Sequence, residues 1–145
     1  MEQARQKLDF DVWAYVFMPE HVHLIVHPRR LQYSMADIRK AIKEPVGRKA
    51  VAYLRSSGSH WLEKIARRRG RRVEYCFWMS GGGYDRNLVE PSTLLKTIVY
   101  IHLNPVRRGL VHCAADWRWS SAAWYQGEKS SVVCPDPIPP EWLVA

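Results

Sequence analysis

The chain has three cysteines, Cys76, Cys113 and Cys134, and no Cys-x-x-Cys pair among them. Neither a disulfide framework nor a structural zinc site is therefore indicated, and the thiols are expected to be reduced and packed in or near the core. There is no apolar run of about 20 residues and no charged-then-apolar leader at the start. That pattern points to a cytoplasmic protein with no membrane partner. Acidic residues are scarce: 14 Asp and Glu against 22 Lys and Arg give a formal charge of +8 and a pI near 9.7. A polyanion is the natural partner of such a surface, because neutralising phosphates releases condensed counterions. Gly81-Gly82-Gly83 is not followed by a Lys-Ser/Thr pair, which excludes the familiar phosphate-binding loop. The glycines instead read as a loop passing close to nucleic acid or to another backbone.

What is present fits one domain. The body is expected over residues 1–125, with 126–145 an extended tail rich in Ser, Pro and small residues that tacks Trp142 and Leu143 onto it. The first eight residues carry no clear signal. From Leu8 to Phe17 the chain becomes nearly continuous in Val, Trp, Tyr and Phe, a strand buried on at least one face. Pro19-Glu20 interrupts it and Val22 to Val26 follows, which predicts an antiparallel hairpin. Side chains on a strand alternate faces, so His21 and His23 point the same way, with Cα atoms roughly 6–7 Å apart. Two imidazoles at that spacing can converge on one metal ion, although an isolated His-x-His is common. His27 shares their parity and reads as a strand-end residue.

Ser34 is a candidate helix cap, followed by apolar residues at three- and four-residue spacing as far as Leu54. Pro45 should kink that helix or start a second one. A further helix is expected from His60 to Gly70 and a third strand from Val73 to Met79. That helix ends in the cluster Arg67, Arg68, Arg69, Arg71 and Arg72, either a solvated connection or phosphate contacts, for which the planar guanidinium fork is suited. Pro91-Ser92-Thr93 opens the next helix and Asn104-Pro105 ends it.

Tyr100 and Asn104 are four residues apart on that helix and share a face. If the face packs over the histidine side of the sheet, a phenol, a carboxamide and two imidazoles surround one point. A divalent ion held by His21, His23 and Asn104 would polarise a phosphate oxygen, and Tyr100 would attack phosphorus to form a phosphotyrosine. A free tyrosine titrates at about pH 10, so the phenol would need a metal or nearby arginines to activate it. The donor set favours magnesium or manganese, with zinc also compatible. From spacing alone, Tyr100 reads sooner as a half-buried helix-end tyrosine than as a nucleophile, and Asn104 more strongly still as ordinary turn chemistry.

Three blocks carry a resemblance to a known family. They are Met18-Pro19-Glu20-His21-Val22-His23, the segment from Phe77-Trp78 through Gly81-Gly82-Gly83-Tyr84-Asp85-Arg86-Asn87, and Tyr100-Ile101-His102-Leu103-Asn104-Pro105-Val106-Arg107-Arg108-Gly109-Leu110-Val111. Together with Trp117 and Trp119-Ser120-Ser121, they resemble the REP-associated tyrosine transposases, the single-tyrosine branch of the histidine-hydrophobe-histidine nucleases. The resemblance runs from about Phe10 to Tyr125. It implies an α+β fold with a ferredoxin-like antiparallel sheet, and a metal-dependent endonuclease and strand transferase acting on single-stranded or hairpin DNA. His21 and His23 would hold the metal with Asn104, and Tyr100 would be the nucleophile. Attack would leave a 5′-phosphotyrosine and a free 3′-hydroxyl, with no nucleotide cofactor.

Relatives usually carry a further strand and helix before the strand matching Phe10–Phe17, so a sheet one strand short, with an exposed edge, is expected. The oligomeric state is left open between a monomer and a strand-exchanged dimer. Arg67, Arg68, Arg69, Arg71, Arg72, Arg86, Arg107 and Arg108 are the candidate DNA-binding residues. Two alternatives stand beside the enzyme: a catalytically silent nucleic-acid-binding protein derived from one, and a nuclease using water in place of Tyr100.

Overall fold

The computed structural model describes residues 1–81, 83–128 and 131–143. Gly82, the middle of the triple glycine, lies outside the described residues, as do 129–130 and 144–145 of the tail. The chain is α+β, with two small antiparallel sheets and six α-helices among the described residues, an arrangement consistent with a ferredoxin-like fold. It divides into two compact units, one of residues 1–33 with 86–145 and the other of residues 34–85.

In the first unit, helix α1 (Glu2–Leu8) fills the stretch that gave no sequence signal, and Asp9 ends it in the left-handed conformation at φ 55°. Strands β1 (Phe10–Phe17) and β2 (Val22–Pro28) form the expected hairpin, closed by Met18 N–H donating to the His21 carbonyl at 2.8 Å. A bulge between Val12 and Ala14 resets the register, so that Val16 faces His23, Ala14 faces Ile25 and Asp11 faces His27. The histidine face of β2 thus also carries Ile25. Helix α4 (Pro91–His102) lies against it: Leu94, Ile98 and Ile101 form one core with Trp13, Ala14, Val16, Met18 and Ile25. The spacing 94, 98, 101 is a single helical stripe, and Pro91 at the first turn needs no backbone donor.

The outer edge of β1 is closed by chain from far along the sequence. Phe17 N–H donates to Trp119 O (2.8 Å), Ser121 N–H to Tyr15 O (3.0 Å) and Asp136 N–H to Val12 O (2.8 Å). The Asp136 carboxylate accepts from Val12 N–H at 2.8 Å and pairs with Arg5 of α1 at 3.0 Å. Val133 N–H donates to the Tyr15 hydroxyl, and Trp142 tilts against Trp13. Within the described residues β2 pairs with β1 alone.

The second unit begins with α2 (Met35–Ser56), capped as expected by the Ser34 hydroxyl accepting from Asp37 N–H at 3.2 Å. Pro45 lies inside this single run and starts no second helix. The helix expected over 60–70 is corrected: only α3 (Trp61–Lys64) is helical, and Ala66–Arg69 (β3) pairs antiparallel with Arg72–Tyr75 (β4). The third strand expected over 73–79 is correspondingly the four-residue second arm of this hairpin. Gly70 explains the difference, since its φ of +59° serves a two-residue turn rather than a helix end. The expectation for the cysteines also needs correcting. All three are free, but Cys113 and Cys134 are exposed and only Cys76 is partly buried. No helix among the described residues is long and apolar enough to cross a membrane.

Candidate active site

The site is assembled entirely within the first unit. His21 occupies the β1–β2 turn and His23 the second position of β2, with ring centroids 4.8 Å apart and planes nearly perpendicular. Because α4 packs on this same face, Tyr100 arrives beside them, its ring centroid 6.4 Å from that of His23. The phenol is half exposed while its helical neighbour Ile101 is buried, so the ring stands at the rim of the core and open to a ligand. Burial, with His21 as a smaller contributor, holds the His23 imidazole below its ordinary value. At neutral pH His23 is therefore uncharged, the form with a ring lone pair to offer.

Asn104 opens α5 (Asn104–Arg107), which follows α4 after the single residue Leu103. Its side-chain amide nitrogen is buried and makes no hydrogen bond among the described residues. A buried amide without a partner costs free energy unless something outside the chain supplies one. A half-turn of that carboxamide exchanges a donor for an acceptor, so the group suits either a phosphate oxygen or a cation. Among the described residues no cluster of three or more His, Cys, Asp or Glu forms a ready metal cage. His21 and His23 are the two imidazoles brought together, and a divalent ion between them would keep positions for further donors, water or phosphate oxygens.

Two arginines expected to meet DNA have closer partners. The Arg107 guanidinium lies 4.7 Å from the Tyr100 ring centroid, over its face, a cation–π arrangement. Arg108 pairs with Glu20 at 2.6 Å, and Glu20 in turn stands 3.7 Å from Nδ1 of His21. Sequence reasoning did not single out Glu20. Its place immediately before His21, with a basic pair elsewhere in the chain, was the available signal. His27 stands apart from the pair as a strand-end residue, stacked on Trp13 at 4.6 Å and 3.6 Å from the Asp11 carboxylate.

His102, two residues beyond Tyr100, was also not singled out. It is buried, its Nε2 lies 2.8 Å from the Ser121 hydroxyl, and burial lowers its pKa to about 4. Ser121 Oγ also accepts from Tyr15 N–H at 2.9 Å. His102 and Ser121 thereby fasten the end of the Tyr100 helix to β1. Trp117 adds a bond from Nε1 to the Phe17 carbonyl at 2.9 Å.

The remaining candidates lie elsewhere. Arg67, Arg68, Arg69, Arg71 and Arg72 are in the β3–β4 hairpin of the second unit and are exposed, as is Arg86 at the start of the segment leading to α4.

No protein-family model matches the chain, and no curated protein matches it. Among solved structures, the chain is similar to a REP-associated tyrosine transposase bound to a REP hairpin. The TM-score is 0.51 at 18% sequence identity, over 95% of this chain and 76% of that one. At that identity the likeness is one of fold.

Proposed function

We propose that this protein is a transposase-like endonuclease and strand transferase for single-stranded, hairpin-forming DNA, with Tyr100 as its nucleophile. The observation that carries the reading is the meeting of Tyr100 with the His21–His23 pair across α4 and β2, elements far apart in the sequence. The fold likeness to a transposase bound to a DNA hairpin supports the same partner.

In this reading Tyr100 Oη attacks the phosphorus of a DNA phosphodiester and the P–O3′ bond breaks. The phenol releases its proton to solvent, which its half-exposed position allows, and the departing 3′-oxygen takes one up. One phosphodiester replaces another, so the bond energy is kept in a 5′-phosphotyrosine and a later 3′-hydroxyl can reverse the step. Arg107, over the tyrosine ring, draws the phosphate to the phenol. His21, His23 and Asn104 would hold a divalent ion, magnesium or manganese. When bound, that ion supplies Lewis-acid polarisation of the phosphate. Glu20, paired with Arg108, places its carboxylate 3.7 Å from Nδ1 of His21.

One observation favours the second reading, a silent nucleic-acid binder of the same descent: although Glu20 stands beside His21, no group of three or more His, Cys, Asp or Glu placed to hold a metal forms among the described residues. The two are separated by incubating the protein with a labelled single-stranded hairpin and magnesium or manganese, then denaturing it. The enzyme leaves a covalent protein–DNA band that disappears in Tyr100→Phe and His21→Ala. Salt-sensitive binding without a band, on any hairpin, supports the silent binder. Cleavage undiminished in Tyr100→Phe makes water the nucleophile.

A further inference from the structure

The arginine-bearing hairpin of the second unit takes no part in the chemistry above. Strands β3 and β4 pair Ala66 with Tyr75, Arg67 with Glu74, Arg68 with Val73 and Arg69 with Arg72. Alternation therefore puts Arg67, Arg69, Arg72 and Glu74 on one face, and Arg68, Val73 and Tyr75 on the other. Gly70, at φ +59°, and Arg71 form the two-residue turn, so the tip reads Arg-Gly-Arg-Arg.

Arg69 and Arg72 stand directly opposite each other, and like charges in that position destabilise a hairpin. The chain offers little relief. Arg69 reaches the exposed Glu74 at 3.8 Å and Arg67 donates to the Ser80 hydroxyl at 2.7 Å. Among the described residues Arg68, Arg71 and Arg72 have no acidic partner. The base of the hairpin is nevertheless fixed. Cys76 N–H donates to Ile65 O at 2.9 Å beyond the last strand pair, and Arg55 of α2 lies 5.3 Å from the Tyr75 ring centroid. A narrow ribbon that is anchored at its base and carries unrelieved positive charge at its tip is built for a polyanion that surrounds it on more than one side. The major groove of duplex DNA is such an environment: it admits a two-stranded ribbon and has phosphates on both walls. Alternate arginines on one strand are roughly 7 Å apart, which lets neighbouring side chains reach different phosphates. A flat anionic surface would meet only one face.

We propose that the β3–β4 hairpin is a duplex-binding ribbon that enters the major groove tip first through Arg69, Arg71 and Arg72. It grips the stem of a folded substrate separately from the single strand handled at Tyr100. The inference rests on the reading of DNA as partner, but not on Tyr100 chemistry.

The test compares the full chain with a triple variant, Arg69→Gln, Arg71→Gln and Arg72→Gln. A charge-matched control removes three cations of α2, through Lys40→Gln, Arg48→Gln and Lys49→Gln. Fluorescence anisotropy is read with a blunt duplex and with a short unstructured single strand over a salt series, with thermal melts confirming that all three proteins fold. The hairpin variant should bind duplex ten-fold or more weakly, and the slope of log K against log salt should become shallower by about 0.9 for each phosphate it no longer neutralises. Its single-strand affinity should stay within about two-fold of the parent's, and the control should keep the duplex affinity. A major-groove ligand, methyl green, should compete for the duplex more effectively than distamycin in the minor groove.

Equal weakening in the hairpin variant and the control, equal weakening on duplex and single strand, or stronger competition by distamycin each overturn the ribbon. So does stronger binding of the parent to anionic vesicles of phosphatidylserine than to duplex. A Tyr100 adduct with duplex affinity unchanged in the hairpin variant removes this inference alone. No adduct, together with duplex binding abolished in the hairpin variant, removes the catalytic reading alone.

Discussion

Residues on and beside the Tyr100 helix divide into those that would act on DNA and those that hold the helix in place, and the two kinds predict different losses. Arg107 lies over the phenol ring, so Arg107→Ala should slow adduct formation at least about ten-fold, in the range seen when a positioned cation is removed. Arg107→Lys should recover only part, because an ammonium lacks the planar fork. Single-turnover gel assays on a hairpin oligonucleotide measure both. His102 belongs to the second kind. Its pKa falls from an ordinary 6.5 to about 4 in the folded protein, so the unfolded chain binds the extra proton between those values. Stability is therefore fully present above about pH 6.5 and is lost as pH falls toward 4, by at most about 1.4 kcal/mol per unit of pKa difference. Urea midpoints across that window should fall with acid in the parent and flatten in His102→Gln.

The elements show which parts of the fold sequence alone could reveal. The hairpin of β1 and β2, the cap at Ser34 and the stripe of Leu94, Ile98 and Ile101 are local patterns with fixed periods, and they appear where spacing places them. The arginine hairpin does not, for a physical reason. Arginine is a good helix former, and glycine in the left-handed region ends a helix as readily as it turns a hairpin, so Arg67 to Gly70 fits both structures. Closure of the β1 edge by residues 119–121 and 136 depends on pairings more than a hundred residues apart, and no local period announces it. Ser121 joins that closure to α4, and Ser121→Ala strands both the Tyr15 N–H and the His102 ring. Its unfolding free energy should drop by at least about 2 kcal/mol, as expected for buried groups left unpaired. In the second unit, Gly47 lets α2 approach Trp78: a Cβ there would lie 3.3 Å from the indole, which is itself tied to the Lys43 carbonyl at 2.8 Å. Gly47→Val should cost about 1–3 kcal/mol by overpacking, read as a lowered melting temperature.

At the scale of the whole molecule, the candidate site was legible as residue types at separate points along the chain, and packing α4 on the histidine face of β2 brings Tyr100 to His23. What the sequence could not show was how the arginines are used. Arg107 is taken up by Tyr100 and Arg108 by Glu20, while the hairpin retains cations without acidic partners. The net charge of +8 makes nucleic-acid binding salt-sensitive in any case, so binding alone discriminates little between enzyme and binder. The decisive measurement is chemical: trap the protein on a hairpin substrate with manganese, digest with nuclease and trypsin, and locate the nucleotide by mass spectrometry. A phosphonucleotide on Tyr100, in the tryptic peptide spanning residues 97–107, is the result predicted here. Hairpin cleavage that leaves this peptide unmodified, with the same products from Tyr100→Phe, would contradict the assignment.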